Sequence, residues 1–334
     1  VAGLFALVAG ANDGAALLST GLRVPGLRPF SALALLLAAL VLGPVVLLPT
    51  AVATTLAHQL VPFSAGEAAT GSLVATAGAL VVVFGSARSG LPTSLTLALV
   101  GALAGAGLGV GPGVNWQALA RVLAVGVAAP AICALAAFTG ARFVLPALSH
   151  QAPPAARRPR ALPYRASRRP DIAARLRRWH RATFCLQCLA YSANGGQKML
   201  AVLALALGGA AGPGAAVHDP LWQAVSLAAL FGTGVLTSVR RVAERLGRSV
   251  LSVHLRHAVV AEACSAVVVL ASGLSGTPLT LSQSLAGALV GAGSSESPRR
   301  VRWAQAARLA GAWAVTLPAA FCLGAMGGAL ARWA

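Results

Sequence analysis

Acidic side chains are nearly missing from this chain: 7 Asp and Glu stand against 26 Lys and Arg in 334 residues, and charges of either sign make up only 10%. Soluble domains carry about 25% charged residues, so a composition this apolar cannot build a water-facing surface all round. With 57% hydrophobic residues, the chain reads as an integral membrane protein. No nucleophile–base pair and no metal triad is visible in the sequence, so an enzyme has little support, and no cofactor is implied. Cysteine is sparse too. Cys133, Cys185, Cys188, Cys264 and Cys322 lie mostly inside apolar runs without a paired framework, so no structural disulfide is expected, and the C-x-x-C of Cys185 and Cys188 reads as helix packing. The net charge of +19 does not point to nucleic acid, because the arginines are dispersed between apolar runs and form no basic face. No basic stretch precedes the first apolar run, so a cleaved leader is not expected.

Long apolar runs are what the chain has instead. They fall at about residues 2–20, 31–56, 68–87, 93–111, 117–147, 183–210, 222–239, 250–273, 279–294 and 303–331, each long enough to cross or enter a bilayer. Between the fifth and sixth lies HQAPPAARRPRALPYRASRRPDIAARLRRWHR, a Pro/Arg-rich linker ending in a basic amphipathic helix suited to anionic lipids. The chain thus divides into a first membrane repeat at 1–147, a basic cytoplasmic linker at 148–182 and a second membrane repeat at 183–334. If each run crosses once, Arg23, Arg28, Arg88, the arginines between 240 and 248, and Arg299, Arg300 and Arg302 share the linker's side. The opposite loops hold His58, Glu67, His218 and Asp219. By the positive-inside rule the linker is cytoplasmic and both termini lie outside.

An odd number of crossings per half makes the second half enter from the opposite side. An internal repeat agrees with this: GLPTSLTLALVGALAGAG at 90–107 aligns without gaps to GTPLTLSQSLAGALVGAG at 276–293. Ala11-Asn12 matches Ala193-Asn194 upstream, and Asn115-Trp116 matches Arg302-Trp303 downstream. The expected fold is an all-α membrane protein of two inverted repeats of about five segments each, with broken or re-entrant Pro-initiated helices at the midplane, the arrangement of many secondary transporters.

Each half supplies an Asn-centred motif and a hydroxyl motif. Asn12 and Asp13 offer oxygens of the kind hard cations take, and the flanking Gly10 and Gly14 would let backbone carbonyls turn inward. Ser94 and Thr96 follow Pro92, and Thr280 and Ser282 follow Pro278, where helix starts would favour an anion. Such hydroxyls also bond their own helix backbone in membranes, so each alone decides nothing. Lys198 is the only lysine; it sits mid-run, four residues after Asn194 on the same helix face. It is either a snorkelling cation or a site residue, and arginine fills every surface position. Glu262 is the other acid inside an apolar run, a cation ligand or a packing partner for an arginine such as Arg256. His58, His218, His254 and His257 lie near segment ends and read as interfacial.

These motifs resemble those of the inorganic phosphate transporter (PiT) family, which read G-x-N-D-x-x-N, H-G-x-N-D-A-x-K in the repeat, and G-x-P-x-S-T-T-H in each half. Here they are G10-A-N-D-G-A-A16, Y191-S-A-N-G-G-Q-K198, G90-L-P-T-S-L-T-L97 and G276-T-P-L-T-L-S-Q283. Glu262 matches a family glutamate ahead of the second hydroxyl motif, and a late T-x-P falls at Thr316 to Pro318. The chain is a divergent member: Gly195 replaces the second Asp, Ala16 an Asn, Leu95 and Leu281 a Thr, and Leu97 and Gln283 the His. The resemblance implies transport of inorganic phosphate, or a related oxyanion, across the cytoplasmic membrane by cation symport with alternating access. Ser94, Thr96, Gln197, Lys198, Thr280 and Ser282 would hold phosphate, and Asn12, Asp13, Asn194 and Glu262 a sodium ion or proton. Losing one of two repeat-related carboxylates should weaken cation binding and ease anion binding. Expected partners are phosphate, the coupling cation, anionic lipids at the linker and a further copy of the chain. A second reading keeps the fold for a non-transporting regulatory role. The lost ligands favour it, whereas Asp13 and Lys198 favour transport, because a bare scaffold has no reason to hold charges in mid-membrane.

Overall fold

The structure, a computed structural model, describes residues 1–22, 26–44, 49–88, 93–144, 172–207, 220–246 and 255–333. Every regular element among the described residues is helical. The first half comprises α1 (Ala2–Leu22), α2 (Pro29–Leu42), a short α3 (51–59), α4 (Ala65–Arg88), α5 (Leu95–Val110) and α6 (Trp116–Thr139). The second comprises α7 (Ile172–Tyr191), α8 (Gln197–Ala206), α9 (Pro220–Leu246), α10 (Leu255–Leu274), α11 (Leu281–Ser294) and α12 (Trp303–Ala331). Among the described residues, six helices, α1, α4, α6, α9, α10 and α12, contain spans long and apolar enough to cross a membrane. The protein is a multi-pass membrane protein.

Three features depart from ten uniform runs. The run at 31–56 is not one helix: α2 (Pro29–Leu42) passes into a π turn at Gly43 and Pro44, Pro49 and Thr50 are not helical, and a new helix starts at Ala51. Proline has no N–H to give and clashes with the turn before it, so an apolar run containing two prolines need not stay helical. Next, α5 and α11 have only 16 and 14 residues. At 1.5 Å per residue they reach roughly 24 and 21 Å, short of the ~30 Å bilayer core. Finally, the boundary drawn at 182/183 falls within α7, which runs from the basic segment straight into the apolar one. The linker upstream of residue 172, Gly90 to Pro92, His218, Asp219 and His254 lie outside the described residues.

Glycine sets the packing. A Cβ at Gly10 would stand 1.9 Å from the carbonyl oxygen of Phe231, and one at Gly234 1.9 Å from that of Leu7, so α1 and α9 cross backbone to backbone. Small residues permit such approaches where no water drives helices together. Gly10 therefore serves the helix crossing, and Gly14 makes room for the Phe231 ring, a role that the sequence alone assigned to inward carbonyls. The short helices are held the same way. Cβ atoms at Gly101 and Gly105 would meet the carbonyl oxygens of Leu317 and Phe321 on α12, at 2.6 and 2.0 Å. Cβ atoms at Gly287 and Gly291 would meet those of Pro130 and Ala134 on α6, at 2.2 and 1.9 Å. Each half's short helix thus lies against the last long helix of the other half, through glycines that the repeat alignment pairs.

The Asn motifs share a backbone form as well. Gly10–Gly14 and Ser192–Gly196 are both five-residue π turns inside longer helices, a rare geometry that recurs at functional sites.

Candidate functional site

The short helices α5 and α11 begin face to face. Ser94 is the N-cap of α5, its Oγ accepting from the Leu97 N–H at 3.2 Å, and Thr280 is the N-cap of α11. The two hydroxyls share a hydrogen bond of 2.8 Å. This single contact brings together the two halves of the internal repeat, 186 residues apart. It also points the positive ends of two helices at one place, where an anion would be favoured.

Lys198 reaches that place from α8. Its Nζ donates to Thr96 Oγ1 at 2.6 Å and to the carbonyl oxygen of Leu279, while Thr96 Oγ1 lies 3.4 Å from the same carbonyl. Lys198 is 4% exposed, Ser94 0%, Thr96 3% and Thr280 3%. A snorkelling role is thereby ruled out. The ammonium is closed inside the protein, bonded to neutral oxygens that an anion could displace.

Asn194 braces the strand of chain leading into α11. Its Nδ2 donates to the Thr277 carbonyl and to Ser272 Oγ, both at 3.1 Å, and its Oδ1 accepts from the Leu279 N–H at 2.7 Å. The side-chain amide thus does for residues 277–279 what a neighbouring strand would do, and fixes where the α11 N-terminus points. Asn12, at the matching position, donates to Asp13 Oδ1 at 2.8 Å within its own π turn. The turn that holds Asp13 packs against α9, and the stretch of α1 before it packs against α8, the helix that carries Lys198.

Three candidates stand elsewhere. Gln197 Oε1 accepts from the backbone N–H groups of Val52 and Ala53 at 2.8 and 3.3 Å, and its Nε2 donates to the Pro49 carbonyl at 2.5 Å. It caps the start of α3, a use worth about 1 kcal/mol for an ordinary cap. Ser282, which the repeat pairs with Thr96, is exposed, because the two short helices differ in what packs on their first turns. Glu262 pairs with a different partner from the one expected: its Oε2 accepts from Thr183 Oγ1 at 2.6 Å and lies 2.8 Å from His180 Nδ1. His180 Nε2 donates to the Gly21 carbonyl at 2.9 Å, tying α7 and α10 to the end of α1. Arg256 instead pairs with Glu296, and His257 and Arg300 lie 3.0 Å from the same carboxylate.

Tyr191 and His180 escaped sequence reasoning. Tyr191 carried the one available signal, a bulky side chain four residues before Gly195 and so directly over it on a helix.

Residues 9–324 match the profile of the phosphate transporter family. Among curated relatives, a protein of Mycobacterium tuberculosis described as a "probable low-affinity inorganic phosphate transporter" is 36% identical over 142 residues, covering 42% of this chain and 34% of its own length. One of the same description from Mycobacterium leprae is 34% identical over 154 residues, covering 46% and 37%, and one from Bacillus subtilis is 24% identical over 150, covering 45% of each. The matched stretches thus take in less than half of these relatives. A solved structure described as the sodium-dependent phosphate transporter superimposes with a TM-score of 0.79 over 99% of this chain and 97% of its own, at 16% identity, and so shares the fold.

Proposed function

Since the chain belongs to the phosphate transporter family, a family of transporters and not of enzymes, we propose that it carries inorganic phosphate across the cytoplasmic membrane together with a sodium ion. The observation that carries this reading is the buried Lys198 ammonium set against two opposed helix starts, with Ser94, Thr96 and Thr280 around it. A tetrahedral oxyanion needs several donors from different directions. Lys198, the hydroxyls and the helix-terminal N–H groups provide them, at a depth where competing water is scarce and each charge-assisted bond counts for more.

In the closed form, these groups satisfy one another. Phosphate would enter by taking the Lys198 donors from the Leu279 carbonyl and Thr96, and by separating the Ser94–Thr280 pair, so that binding itself loosens the contact between halves. Asp13 is then the cation's partner. A sodium ion beside it offsets a carboxylate that would otherwise draw on Lys198, leaving the ammonium to the anion. Co-binding follows from that competition, and co-binding is what symport requires.

The two halves act as inverted repeats in this account. Support comes from the paired π turns, the meeting of the two caps and the exchanged glycine contacts of α5 with α12 and α11 with α6. Rocking one half against the other would expose the cap pair to alternate sides. In this reading the linker is cytoplasmic and available to anionic lipids while residues 1 and 333 lie outside, an orientation that the arginine distribution supports. Impermeant thiol reagents, applied to intact cells carrying single cysteines in a cysteine-free background, should leave positions 155–165 unlabelled; labelling there overturns the topology.

Purified protein in proteoliposomes should take up labelled phosphate when an inward sodium gradient is imposed, and much less with choline in its place. Arsenate should compete as a close copy of phosphate, and sulfate weakly. Uptake that ignores sodium and follows an imposed proton gradient would replace the coupling ion. No uptake under either gradient would defeat the transport reading.

A further inference from the structure

The π turn at Ser192–Gly196 is built around an aromatic ring. A Cβ at Gly195 would lie 2.5 Å from both Cε2 and Cζ of Tyr191, so the ring fills the space into which any side chain at 195 would project. Tyr191 also packs on Phe231, with ring centroids 5.4 Å apart and planes tilted by 41°. Phe231 in turn covers Gly14, where a Cβ would meet its Cζ at 2.4 Å. The two rings therefore bridge the two π turns, from the glycine after Asp13 to the glycine that the internal repeat aligns with Asp13 itself.

One atom of this wedge is unexplained by packing. The Tyr191 hydroxyl is fully buried, in a residue 3% exposed, and has no hydrogen-bond partner. A buried phenol without a partner forfeits the hydrogen bonds it would make in water, and a phenylalanine would fill the same ring volume without that loss. This hydroxyl nonetheless sits on a ring that leads, through Phe231, to Gly14 in the turn that holds Asp13. Its oxygen has lone pairs to give, and hard cations take neutral oxygens beside a carboxylate.

We propose that the Tyr191 hydroxyl is a direct ligand of the cation bound at Asp13, so that the site is completed by a neutral oxygen held over Gly195 instead of a second charged one. The proposal rests on the sodium-coupled reading above and deepens it. One carboxylate and one phenol bind a single sodium ion, with affinity set by the phenol. Phosphate, held by Lys198 and the helix caps, does not touch it. Gly195 is small so that the ring can lie there, which means that adding a carboxylate at 195 requires removing the ring as well.

Sodium binding is read from thermal melting of the purified protein, titrated with sodium chloride against choline chloride at constant ionic strength. Tyr191→Phe keeps the ring and removes only the oxygen. It should melt near the parent without sodium, need about tenfold more sodium for half-maximal stabilisation, the size of one polar contact to a charge, and keep its phosphate affinity at saturating sodium. The double variant Tyr191→Ala/Gly195→Asp should recover sodium binding and bind more than one ion per phosphate. If Tyr191→Phe titrates with sodium as the parent does, or if it weakens phosphate and leaves sodium alone, the assignment of Tyr191 is wrong while coupled transport stands. If the parent itself melts identically in sodium and choline, the sodium reading falls and takes the proposal with it.

Discussion

Lys198→Met should abolish phosphate uptake while leaving a folded protein. Lys198 is the only lysine in the chain, and in the closed form it spends its donors on Thr96 and the Leu279 carbonyl. Methionine fills a similar volume with no charge. Removing one partner of a buried, charge-assisted contact costs about 2–5 kcal/mol, which at 1.4 kcal/mol per factor of ten predicts a loss of at least about 30-fold in phosphate affinity. The groups left behind are not stranded, since Thr96 Oγ1 already lies 3.4 Å from the Leu279 carbonyl and can close on it.

The same variant should move sodium the other way. Lys198 and Asp13 act on each other through space, and an ammonium near a carboxylate competes with any cation for it. Without that ammonium, Asp13 should hold sodium more tightly. Melting curves in phosphate and in sodium separate the two effects: phosphate-dependent stabilisation disappears and sodium-dependent stabilisation begins at lower concentration. Lost response to both ligands would mean a collapsed site, and an unchanged response to phosphate would remove Lys198 from substrate binding.

Membrane class, helical content and the two polar motifs were legible in the sequence because each depends on local composition. Asp13 and Lys198 stood out for the same reason, as charges in runs where lipid penalises them. The break in the 31–56 run was harder to see. Hydropathy averages over Gly43, Pro44 and Pro49, whereas the backbone responds to each proline individually. Nor does hydropathy alone report that α5 and α11 are only 16 and 14 residues long, because a window average blurs the caps and glycines that end them.

Side-chain partners were the least legible layer. Gln197 and Lys198 are neighbours in one motif, yet consecutive residues on a helix point about 100° apart, so one reaches the start of α3 and the other the caps of α5 and α11. Glu262 was assigned by chemistry to a cation or an arginine, and its partners His180 and Thr183 come from a helix that begins in the basic linker. Thr96 and Ser282 align in sequence but differ in burial, since a repeat preserves register and not the neighbours that pack against it. Tyr191 went unnoticed because nothing in a sequence reports that a hydroxyl lacks a partner.

The second large effect concerns the cap pair. Ser94 and Thr280 hydrogen-bond to each other across the two halves, and in this account phosphate takes both hydroxyls when it binds. Ser94→Ala with Thr280→Ala removes both oxygens and keeps both helices, at a cost to the α5 cap of about 1 kcal/mol. The partners leave together, so neither is stranded in the closed form. A hydrogen bond to a charged group contributes about 1.5–3 kcal/mol, so the pair should be worth at least about 100-fold in phosphate affinity. Equilibrium binding of labelled phosphate to the purified parent and to this double variant, at saturating sodium, is the most direct test of a substrate site between the two helix starts. The account predicts phosphate binding by the parent and a loss of about two orders of magnitude in the variant, with sodium-dependent melting intact; equal affinities within about twofold, below the size of a single such bond, would contradict it.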